Sequence, residues 1–80
     1  MSKLTLIDAP SLEHLLFKLG FVKVRQKGSH VLYRHADGRT TTIPFHMGKD
    51  LPRPLLRQIL RDINLSIDEY NKSRLENIKK

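Results

Sequence analysis

Between Gly20 and Pro44, two turn signals, Lys27-Gly28 and Ala36-Asp37-Gly38, cut the chain into three short segments with alternating or β-branched patterns. Leucine-rich stretches of helical period stand on either side. A period of two makes a strand with two distinct faces, and a period near 3.6 makes a helix with one apolar side. The order of these periods limits the chain to a helix, a three-stranded antiparallel meander and a second helix, because the breaks between strands are too short for parallel crossovers.

Asp8 is suited to cap the first helix and Pro10 to its first turn. Leu12, Leu15, Leu16 and Leu19 follow at helical spacing, and Gly20 takes the C′ position. Phe21, Val22 and Val24 alternate in part with Lys23 and Arg25; Val31 and Tyr33 alternate with His30, Leu32 and Arg34, so His30 opens the second strand. Thr40 to Ile43 is β-branched, and Pro44 ends or edges that strand. Leu51, Leu55, Leu56, Ile59, Leu60 and Ile63 share one side of a second helix, from about residue 52 to 63, whose start is set by Pro52 and Pro54. Ser66 and Glu69 form a capping box, with Leu65 and Tyr70 as its staple, for a third helix that carries Ile67, Leu75 and Ile78. The expected class is α+β: an α-β-β-β-α sandwich with a three-stranded antiparallel sheet and an extra C-terminal helix. The helices cover one sheet face, and the other stays open, where Lys23 and Arg25 can reach a ligand. Residues 1–80 read as a single domain, with the first six or seven residues and the last few as tails.

Charge narrows the function. Residues 18–61 hold ten Lys and Arg against Asp37 and Asp50, so the net charge of +7 is concentrated in the middle of the chain. That is the footprint of a polyanion binder, nucleic acid first, although a merely soluble basic surface or a docking face for an acidic protein has the same composition. With no cysteine there are no disulfides, thiolate nucleophiles or Cys-type zinc sites. The chain fits a reducing, cytoplasmic setting, and no apolar run is long enough for a membrane span.

Gly28-Ser29-His30 is the best candidate for a reactive centre. Cleaving RNA through its own 2′-hydroxyl needs a base, an acid for the leaving 5′-oxygen, and positive charge near the phosphorane-like transition state. It needs no metal or other cofactor. His30 suits the base, Ser29 offers a hydroxyl donor, and Arg25, Lys27 and Arg34 are near enough in sequence to hold phosphate. A strand histidine bonded only to its neighbours fits the same tripeptide. His46 or a tyrosine is a candidate for the second proton transfer, and a solvated loop position for His46 is the plainer alternative. His35 and His14 read as exposed, and a zinc site from His30, His35 and His46 lacks typical ligand spacing. Arg53, Arg57 and Arg61 recur every four residues as a stripe away from the leucines, suited to a phosphate backbone, an acidic partner or plain solvent. Five aromatics are too few for a single-strand stacking platform.

Taken together, Leu19-Gly20-Phe21, Val24-Arg25-Gln26-Lys27-Gly28-Ser29-His30, Tyr33-Arg34-His35-Ala36-Asp37-Gly38-Arg39, Ile43-Pro44-Phe45-His46 and Leu55-Leu56-Arg57-Gln58-Ile59-Leu60-Arg61-Asp62 resemble the HicA, or YcfA-like, family of mRNA-interferase toxins over about residues 8–70. The resemblance implies a double-stranded-RNA-binding-like fold, endoribonuclease activity on mRNA that inhibits translation, and a HicB-type antitoxin partner. It implies that His30 is the catalytic histidine and that His46 is the family's second histidine. Arg25, Lys27, Ser29, Arg34, His46, Arg53 and Arg57 are then the expected RNA-binding residues. The chain departs from the pattern at Arg53-Pro54, where many relatives carry a glycine. A module that binds double-stranded RNA without cutting it is the alternative.

Overall fold

A computed structural model describes residues 3–46 and 48–78. Its elements run α1 (Ala9–Lys18), β1 (Phe21–Lys27), β2 (His30–His35), β3 (Thr40–Pro44), α2 (Arg53–Asp62) and α3 (Ile67–Ile78). The strands form one antiparallel sheet in the order β1-β2-β3. This is the expected α+β sandwich with its extra C-terminal helix.

Local chemistry explains the boundaries. The Asp8 carboxylate accepts from the Ser11 amide at 3.0 Å, and Gly20 leaves the helix at a φ of 98° that favours glycine. The second helix has no side-chain cap, since it enters through Pro52. Ser66 and Glu69 bond reciprocally, each side chain to the other's amide at 3.1 Å, and start α3. Their staple, Leu65 and Tyr70, packs on the core.

One face of the sheet, bearing Phe21, Val31, Tyr33, Thr41 and Ile43, lies under the helices. Leu12, Leu15 and Leu16 of α1 and Leu56, Ile59 and Leu60 of α2 meet it in a single cluster. Among the described residues, no helix is long and apolar enough to cross a membrane.

The N-terminal segment corrects an expectation. Residues 3–7 are not a tail: Leu4 is 4 % exposed and Ile7 is buried. Three distant side chains hold the segment's carbonyls: Asn71 donates to Lys3 at 2.9 Å, Arg53 to Leu4 at 2.8 Å and the Tyr70 hydroxyl to Thr5 at 2.5 Å. The Leu51 amide donates to the Ile7 carbonyl at 2.8 Å. Apolar residues without helical or strand periodicity give no local signal, so only these long-range partners mark the segment as core. The expected tail at Lys79 and Lys80 lies outside the described residues.

Candidate functional site

The open face of the sheet is built by register. On β2, burial alternates, with Val31 and Tyr33 under the helices and His30, Leu32 and Arg34 on the other side. Thr40, Thr42 and Pro44 of β3 pair with Arg34, Leu32 and His30 and share their face. On β1 the phase changes. Lys23 faces Tyr33 and Arg25 faces Leu32, with Val24 as an extra residue between them. Residues two apart on a regular strand share a face, so without this bulge Arg25 and Lys27 would point to the helix side with Lys23. The bulge turns them outward. Lys27 then stands opposite His30.

Three rows result, spaced about 7 Å apart along the strands: Lys27, His30 and Pro44; Arg25, Leu32 and Thr42; Val22, Arg34 and Thr40. The first two rows enclose a shallow concavity of about 360 Å³ lined by Arg25, Lys27, His30, Leu32 and Thr42. None of these rows contains a carboxylate.

Several cations of the central region are engaged within the molecule. Lys23 pairs with Glu13 at 3.4 Å on the helix side, which corrects its expected place on the open face. Arg39 bonds Asp37 at 2.8 Å, reaches the Ile63 carbonyl and lies over the Phe21 ring. These bonds from the Arg39 side chain and then its backbone hold the Asp37 carboxyl below its usual range. Arg53 is tied to Leu4 and Arg61 donates to Gln58 at 3.1 Å. Arg25, Lys27 and Arg34, by contrast, make no side-chain hydrogen bond or ion pair among the described residues. Exposed cations with no internal partner are free to meet a polyanion.

Other expected site residues are placed as follows. Ser29 sits in the turn, and its carbonyl accepts from the Phe45 amide at 2.7 Å, which carries the β2–β3 ladder one pair past Pro44. His46 follows immediately and is exposed. Arg53 and Arg57 belong to α2, on the covered side of the sheet, and do not line the concavity. His35 is not exposed as expected: its ring packs against Phe21 with centroids 5.1 Å apart, and Nδ1 lies 3.1 Å from Asp37. It ends β2 on the inner side, so alternation puts it under cover. His14 is exposed on α1.

Neither tyrosine can serve the open face. Tyr33 is fully buried and donates to Glu13 at 2.5 Å; Tyr70 is fully buried against the N-terminal segment. Leu32 and Thr42 escaped the sequence reading as lining residues. Leu32 was accessible to it, two residues from His30 on one strand, whereas Thr42 requires the β2–β3 register.

The model of the family described as the HicA toxin of bacterial toxin-antitoxin systems matches residues 10–65. The chain belongs to the HicA toxin family. The match takes in α1 from Pro10 onward, the whole sheet and α2, and therefore the open face with His30; the capping box and α3 lie beyond it. Among curated proteins, no relative matches this HicA chain. As a HicA toxin it is one component of a toxin–antitoxin system, and membership implies an antitoxin partner.

Proposed function

We propose that this HicA toxin is an endoribonuclease that cleaves mRNA on the open sheet face without a metal cofactor, with His30 as general acid/base. The supporting observation is the meeting of His30 with two unpartnered cations, Arg25 and Lys27, in one concavity. His30 takes the proton of a ribose 2′-hydroxyl; the 2′-oxygen bonds to phosphorus and the bond from phosphorus to the 5′-oxygen breaks. The products are a 2′,3′-cyclic phosphate and a 5′-hydroxyl end. Arg25 and Lys27 stabilise the charge that builds on the phosphorane-like transition state, where fixed cations contribute more than they do to the ground state.

With both tyrosines buried, His46 is the group that returns a proton to the 5′-oxygen, and the Ser29 hydroxyl orients the phosphate. Arg53 and Arg57 contact only RNA that extends beyond the sheet face. The partner is a HicB-type antitoxin.

Purified protein incubated with RNA in chelator tests this reading. Wild type is expected to generate cyclic-phosphate ends, and His30→Ala to lose at least about a hundredfold in rate. Cleavage by His30→Ala at the wild-type rate, or growth arrest by it at equal protein level, refutes the assignment. Wild-type protein that binds RNA and leaves it intact is instead the non-catalytic double-stranded-RNA-binding module.

A further inference from the structure

We infer that Arg34 forms a separate phosphate subsite, and that the RNA recognised is a single-stranded stretch of at least three nucleotides laid along β2. The inference builds on the reading of the open face as an RNA site. His30, Leu32 and Arg34 occupy alternate positions of the central strand on that face. Four residues of antiparallel strand separate the α-carbons of His30 and Arg34 by about 13 Å, a distance covered by two sugar–phosphate repeats of an extended strand. A phosphate held beside His30 and Lys27 is therefore two rows away from Arg34, which is placed to meet a later phosphate of the same strand.

Arg34 is equipped to hold another one. It is exposed, its row partners are Val22 and Thr40, and it has no ion-pair partner among the described residues. Between the rows of His30 and Arg34 lies that of Arg25, Leu32 and Thr42, so a cation stands in every row along the face. Arg34 thus selects for length and for backbone spacing.

The geometry favours a single strand over a duplex. Attack along the line of the breaking bond requires the 2′-oxygen to swing opposite the 5′-oxygen, a rotation that stacked A-form pairing resists. Apart from His30, the paired residues of the open face include no aromatic side chain, so the contact is made chiefly through the backbone.

Fluorescence anisotropy with 2′-O-methyl oligoribonucleotides, which cannot be cleaved, provides the test. Probes of two, four and eight residues are titrated with wild type, Arg34→Ala and Arg34→Lys over a range of salt. The affinity ratio of wild type to Arg34→Ala is expected to be near one for the shortest probe and about fivefold for the two longer ones. The salt slope on the longer probes should fall by about 0.7, the loss of one single-strand phosphate contact. Arg34→Lys, which keeps the charge, should retain most of the affinity.

Equal ratios at all lengths overturn the subsite, and tighter binding of an eight-base-pair duplex with the same Arg34 dependence overturns the single-strand assignment. The catalytic reading fails separately. If His30→Ala still cleaves while the length dependence holds, only the chemistry assigned to His30 is wrong; if wild type cleaves and the length dependence is missing, only the Arg34 subsite is wrong.

Discussion

Tyr33 and Glu13 show how a single residue ties the helix layer to the sheet. The Tyr33 hydroxyl donates to the Glu13 carboxylate, which also pairs with Lys23, and the ring of Phe17 meets Tyr33 edge-on at 6.1 Å. Burial first, then the hydrogen bond to Glu13 and its negative charge, push the Tyr33 hydroxyl far above the ordinary tyrosine range. Tyr70 is pushed up to about 12, chiefly by burial. Unfolded tyrosines ionise near pH 10, so above that the native state binds more protons than the unfolded one. The resulting stability is complete below pH 10 and is lost as pH rises. Tyr33→Phe is expected to cost about 1–2 kcal/mol at neutral pH, because the carboxylate loses a donor. It also loses this pH dependence, so the gap between wild-type and variant urea midpoints should narrow from pH 8 to pH 11. A gap that stays constant would show that the hydroxyl is not protected.

At the scale of elements, the joint between α1 and β1 and the bulge in β1 decide what the sheet presents. Gly20 turns the chain at a φ of 98°, and a β-carbon there would stand 3.0 Å from Nε2 of His35. Gly20→Ala is therefore expected to destabilise by roughly 1–2 kcal/mol, from backbone strain and this contact together. Adding His35→Ala should recover only the contact's share, and full recovery in thermal melts would contradict the backbone term. The bulge is the less legible feature. Phe21-Val22-Lys23-Val24-Arg25 reads almost as a regular alternation, yet Val22 and Val24 are 60 % and 42 % exposed and Arg25 changes sides. An extra residue in one strand leaves no compositional mark, because only the pairing partner shows that two residues oppose one.

For the whole molecule, the N-terminal segment closes the core against α2 and α3. Leu4 is expected to behave as an interior leucine, with Leu4→Ala costing roughly 2–4 kcal/mol in urea denaturation. A change within about 0.5 kcal/mol would mark a surface residue instead. The same closure has an electrostatic consequence. Arg53 is drawn to the Leu4 carbonyl and Lys23 to Glu13, while Arg25, Lys27 and Arg34 are left on the uncovered face. Part of the positive charge visible along the chain is thus taken up by internal bonds, and another part is left on the open sheet face.

The amino-acid sequence alone determined the elements, their order and the buried sides of α1, β2 and α2, since periodicity, caps such as Asp8 and Ser66, and the glycine turns act within a few residues, but not the buried sides of β1 or of α3 at Leu75. It also placed His30 at the head of the central strand. Tertiary structure decided which cations share a face with His30, that both tyrosines are withdrawn from that face, and that residues 3–7 are core. Each of these depends on register or on partners dozens of residues away, as in the bond from Asn71 to Lys3. Such contacts form only when the chain closes on itself, which local pattern cannot express.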